Sequence, residues 1–102
     1  MAPAQPSLPD DARLVELRVE HLCFRSRRRV APGTMLDFAL VMEGRPWAVR
    51  APVVDCLARK ERGESSYEMR VSLEDLPQAD RHLIALFIEK GRGAPTLAPA
   101  SR

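Results

Sequence analysis

Apolar and charged residues alternate through most of the stretch from Leu14 to Val41, and this alternation restricts the fold more than any other feature. Val15, Leu17 and Val19 alternate with Glu16, Arg18 and Glu20, the pattern of a strand with one face buried. Leu22 and Phe24 then carry the apolar face, so the parity flips near His21. A slip of one residue sends every later side chain to the opposite face, so a bulge or corner is expected there. Arg25, Arg27, Arg28 and Arg29 follow as a basic loop and Pro32-Gly33 as a turn. Leu36, Phe38, Leu40 and Met42 then resume the alternation.

The same reading extends to five strands and one helix. The strands are expected at about Leu14–Val19, Leu22–Ser26, Met35–Glu43, Trp47–Arg59 and Tyr67–Leu73. Glu43 to Pro46 reads as a turn, with Gly44 free to take positive φ. In the long fourth strand Trp47, Val49, Ala51, Val53 and Leu57 share one parity and Asp55 interrupts. Pro52 cannot donate a ladder hydrogen bond, so a bulge or a sheet edge is expected around it. Lys60 to Ser66 is a polar hairpin loop. An amphipathic helix begins near Pro77, where the missing N–H costs nothing, and ends at Gly91, a residue suited to a C-cap. Ala79, Leu83, Leu86, Phe87 and Lys90 share one face, widened by Ile84 and Ile88. Consecutive antiparallel strands followed by such a helix predict a mainly β fold, a small antiparallel β-barrel with a C-terminal helix.

At 102 residues the chain has the size of one domain. The expected core is Val15, Leu17, Val19, Leu22, Phe24, Leu36, Phe38, Leu40, Val49, Val53, Met69, Val71, Leu83 and Phe87. Residues 13–91 form the expected domain, between disordered arms at 1–12 and 92–102 that are rich in Pro and Ala. A net charge of +2 gives no global case for nucleic acid or an anionic membrane. Cys23 and Cys56, the two cysteines, are expected as buried free thiols. The N-terminus carries no apolar signal core, and the longest apolar run, Leu83 to Ile88, is too short to span a bilayer. A soluble, cytoplasmic protein is the expectation.

The order of several pieces resembles the PilZ family of bacterial cyclic-di-GMP receptors and its degenerate members. They are Leu22-Cys23-Phe24-Arg25-Ser26, Ala31-Pro32-Gly33-Thr34, the strand Leu36–Val41, Arg50 to Cys56, and Tyr67 to Leu76 leading into the helix. The resemblance implies a six-stranded antiparallel split barrel with a C-terminal helix. The sixth strand would come from residues 8–13 or be absent. Family members that bind the dinucleotide carry an RxxxR before the first strand and a D/N-x-S-x-x-G on that strand and its corner. Here the second motif falls on Glu16-Leu17-Arg18-Val19-Glu20-His21. Arg18 replaces a small hydroxyl, and His21 replaces a glycine, which would strain a corner that needs positive φ. Arg13 is the only arginine upstream of Leu14. Arg25 and Arg29 have RxxxR spacing, but they lie after the corner.

The resemblance therefore implies a non-catalytic adaptor that binds a protein partner in a motility, type IV pilus or signalling complex, without the nucleotide. Arg18, Arg25, Arg27, Arg28 and Arg29 are the candidate contacts, since clustered guanidiniums suit carboxylate-rich partners. The alternative is a cyclic-di-GMP receptor using Glu16 and Arg18 with Arg25, Arg28 and Arg29, which requires the basic loop to fold back over the first strand. No other cofactor is expected, nor a nucleic-acid or membrane partner; a homodimer through a strand edge or the helix is a further expectation. Aromatic residues are sparse and mostly at core parity, which argues against a nucleic-acid stacking face. His21 and His82 are the only imidazoles and belong to no ligand-spaced set, so no metal site is expected. His21 and Cys23 share a strand face, but nothing supplies an oxyanion site or an orienting acid, so no catalytic residue is expected.

Overall fold

The computed structural model describes residues 7–91 and 93–100. Six strands and one helix follow in order: β1 (Arg13–Leu17), β2 (His21–Ser26), β3 (Met35–Met42), β4 (Arg45–Glu61), β5 (Glu64–Ser72), α1 (Gln78–Lys90) and β6 (Thr96–Pro99). The strands form one antiparallel sheet in the order β1-β2-β5-β4-β3-β6. The sheet curls until β1 and β6 approach one another without a shared ladder, so the barrel is open along that seam. The mainly β architecture with a helix after β5 is as the alternation predicts.

Two bulges account for where simple parity fails. In β1 the register shifts between Leu14 and Glu16. Val15 becomes the extra residue and is 49% exposed, while Leu14 and Leu17 pack on the core. In β4 the register shifts between Val53 and Asp55. Beyond this bulge Cys56 packs on the core and Leu57 is 57% exposed, the reverse of what parity with Val49 and Val53 predicts. The bulge lies two residues after Pro52, where β4 changes partner. Arg45 to Pro52 pair with β3, and Val53 to Glu61 pair with β5. Pro52 thus sits at a corner of the sheet, the kind of place where a missing donor is tolerated.

The hairpin turns are tighter than expected. Glu43-Gly44 and Arg62-Gly63 are two-residue loops with positive φ at both positions, 52° and 76° in the first and 52° and 80° in the second. That is the type I′ geometry that matches strand twist. Gly33 also has positive φ, and its N–H donates to the Val53 carbonyl at 2.7 Å.

Leu22, Phe24, Leu36, Leu40, Val53, Met69, Val71 and Leu73 form the centre of the core with no exposure. Of the expected core, Leu17 and Phe87 only pack at its margin, and Val19 and Leu83 are half-buried. The helix is anchored mainly through Ile84, while Leu86 and Ile88 stay 47% and 46% exposed, so the covered stripe is narrower than expected. Pro77 takes the cap position rather than the first helical one. Gly91 ends the helix at φ −59°, outside the left-handed region expected of a glycine C-cap, and its N–H donates to the Phe87 carbonyl. Space is the reason for glycine there, because a Cβ would meet that carbonyl oxygen.

Both expected arms take part in the fold. Leu8 is buried in the core, Ser7 bridges to Asp37, and Asp11 reaches β2. The expected disordered tail contributes the sixth strand: Thr96–Pro99 pairs with Phe38 to Val41 of β3. Residues 8–13 do not form it; only Arg13 of them is in a strand, as the start of β1. Residues 1–6, 92 and 101–102, also expected to be disordered, lie outside the described residues.

Candidate functional site

The candidate residues divide between the two ends of β2. At one end β1 and β2 close into a hairpin, in which the Arg18 N–H donates to the His21 carbonyl at 2.8 Å. Glu16 is directly opposite Cys23 in the ladder, and Leu17 opposite Leu22. Leu22 and Phe24 turn inward with no exposure, so His21, Cys23 and Arg25 occupy the outer face. The Glu16 carboxylate accepts from Arg18 Nε at 2.9 Å and lies 3.1 Å from His21 Nε2. The arginine bond first, and His21 second, hold this carboxyl below the usual carboxylate range. His21 is not among the described residues with positive φ; it begins β2 as extended backbone, so the corner forms without the strain expected of a histidine there.

Cys23 is 9% exposed although it faces outward. Its ladder neighbours are Glu16 on β1 and Arg70 on β5, long side chains of the kind that shield an outward position from water. Burial is the main influence raising its thiol pKa, against a lowering contribution from a hydrogen bond to Arg70. Cys56 is on the inner side, its thiol 3.6 Å from Met69 Sδ. Both cysteines are free.

At the other end β2 runs into the basic loop. Four residues, about 13 Å of strand, separate His21 from Arg25. Arg18 is therefore not part of the arginine cluster, contrary to the expected single surface. Nor does the loop fold back over Glu16, as the dinucleotide-binding alternative requires; Arg28 and Arg29 follow the end of β2 distal to that carboxylate. Arg25 is drawn to Glu68 at 3.4 Å, and Arg59 approaches the same oxygen at 3.6 Å. Arg27 lies 3.6 Å from Glu64 on the β4–β5 hairpin. Arg28 and Arg29 are exposed and have no ion-pair partner among the described residues.

The loop has a fixed root. Ser26, 3% exposed, donates its hydroxyl to Asp11 Oδ1 at 2.5 Å and accepts from the Arg28 N–H at 2.9 Å. The Arg27 N–H donates to Asp11 Oδ2 at 2.8 Å. One carboxylate thus secures the backbone from which three arginines project. The sequence reading missed Asp11 and Ser26, because their contact joins the supposedly disordered arm to the end of a strand. Arg13, Arg25, Arg27, Glu61 and Glu64 line an open groove beside this root.

These bonds hold the Asp11 carboxyl below its ordinary 3.8, the Ser26 hydroxyl contributing most and the Arg27 N–H next. A folded-state pKa below the unfolded one stabilises the fold above the unfolded value, and that contribution is lost as pH falls through the folded value. Asp11→Asn is therefore expected to be less stable than the native chain at neutral pH, with the two denaturation curves converging below pH 3.8. Ser26→Ala should return the Asp11 carboxyl toward its ordinary value in an NMR titration.

No helix among the described residues is long and apolar enough to cross a membrane. Comparison with family models, curated proteins and solved structures finds no significant match to this chain.

Proposed function

We propose that the chain is a non-catalytic, PilZ-like adaptor module that binds an acidic segment of a protein partner through the Arg27–Arg29 loop, without binding cyclic-di-GMP. The observation that carries this reading is the Asp11–Ser26 clamp, which secures the loop backbone while Arg28 and Arg29 stay exposed and unpaired among the described residues. A backbone that is already ordered loses less entropy on binding. Exposed guanidiniums are weakly hydrated and take carboxylates in bidentate fashion. The dinucleotide reading is disfavoured because the Glu16 carboxylate is engaged by Arg18 and His21 and lies away from the arginine loop.

The test is affinity capture from the native cell with the native chain and with Arg28→Glu/Arg29→Glu. The expected result is a specific protein that the native chain retains and the charge-reversed chain loses, with elution by moderate salt. Retention of the same protein by both chains would contradict the reading. Asp11→Ala, which leaves every arginine in place, should weaken capture less than charge reversal does.

A further inference from the structure

The outer face of the β1–β2 hairpin brings together three donors that the sequence keeps apart. A Glu16 carboxylate oxygen, a His21 ring nitrogen and Cys23 Sγ all lie within 4.8 Å of one another. The fold creates this set in two steps. The ladder puts Glu16 opposite Cys23, and the period of the strand puts His21 on the same face two residues before Cys23. The Val15 bulge decides the first step, because without the register shift Glu16 would not be opposite Cys23. We propose that Glu16, His21 and Cys23 form a binding site for a divalent transition-metal ion of the zinc class, with its fourth position open to water or a partner's side chain.

The donor chemistry selects the ion. A thiolate, an imidazole and a carboxylate suit zinc and its spectroscopic substitute cobalt(II), whereas calcium and magnesium take oxygen donors. Zinc bonds of about 2.0–2.3 Å in a tetrahedral site put neighbouring donor atoms roughly 3.3–3.8 Å apart. The Glu16–His21 pair is already at 3.1 Å. The widest separation the trio allows must close by about 1 Å, within reach of ordinary side-chain adjustment on a hairpin surface. Charge also balances: a doubly positive ion, a carboxylate, a thiolate and a neutral imidazole sum to zero. Arg70 and Arg18 flank the site and oppose a cation. Arg18 is 61% exposed and free to turn away, or to keep its bond to the carboxylate and orient it. On binding, the Cys23 proton passes to solvent as the sulfur–metal bond forms.

The experiment uses the full chain without an affinity tag, reduced and metal-free. Cobalt(II) is added and followed by absorption, and zinc is then used to displace it. The expected result is one equivalent bound, with a near-ultraviolet thiolate-to-cobalt charge-transfer band and intense visible bands of a tetrahedral ion, all abolished by one equivalent of zinc. Cys23→Ser should remove the charge-transfer band, and His21→Ala and Glu16→Gln should each weaken binding at least tenfold. Cys56→Ser and His82→Ala, which remove the other thiol and the other imidazole, should change nothing. A charge-transfer band that survives Cys23→Ser, or no stoichiometric binding at micromolar protein, would overturn the proposal. Circular dichroism of each variant separates lost ligation from lost folding. Arg28→Glu/Arg29→Glu should bind the metal normally, so this site and the adaptor reading stand or fall separately.

Discussion

Phe24→Ala is expected to cost about 3–5 kcal/mol, the range for removing a fully buried phenylalanine ring. Phe24 has no exposed surface, faces Leu14 across one ladder and Met69 across the other, and belongs to the central cluster. A small domain holds roughly 5–15 kcal/mol in total. At about 4–8 °C per kcal/mol for a domain of this size, melting should fall by at least about 12 °C, or the fold should be lost at physiological temperature. The informative comparison is with Leu57→Ala and Val15→Ala. Parity along the sequence places both residues inside; the bulges put them on the surface at 57% and 49% exposure. Their replacement is expected to change stability by no more than about 0.5 kcal/mol. Thermal denaturation of the three variants checks the core and the two register shifts together. Losses of several kcal/mol at Leu57 or Val15 would show that the bulges are misplaced.

Ending the chain at Gly91 is the second large perturbation. It removes β6 and uncovers the ladder edge of β3 from Phe38 to Val41. Leu97, which packs on the core opposite Leu40, goes with it. An uncovered, apolar edge strand is a template for pairing with another chain. The truncated protein is expected to sediment as larger species than the full chain at the same concentration, and to melt at lower temperature. Pro99 sits near the end of β6 and supplies no N–H, a common way to blunt an edge. An unchanged sedimentation profile and melting temperature would mean that β6 contributes nothing to the sheet.

The mainly β fold was legible because alternation survives in β2, β3 and β5, where Leu22 and Phe24, Leu36, Phe38 and Leu40, and Met69 and Val71 face inward as their spacing predicts. The bulges were less legible. The flip near His21 showed that the first two strands do not share one register, but Val15 itself carries no sign that it is the inserted residue. Pro52 signalled irregularity two positions before the actual shift. β6 was illegible because Thr-Leu-Ala-Pro is short, and it pairs only because the curled sheet presents β3 to it. For the same reason Asp11 read as part of a loose arm, although its carboxylate closes the arginine loop. The Glu16–His21–Cys23 cluster depends on ladder register, which spacing along one chain does not reveal.

The central claim is that this scaffold presents a secured arginine loop to a protein while the corner at Glu16 does not receive the dinucleotide. Isothermal titration of the native chain with cyclic-di-GMP at moderate salt tests it most directly. The account predicts no saturable heat at micromolar protein. Saturable micromolar binding that disappears in Glu16→Ala and in Arg28→Ala/Arg29→Ala would contradict it.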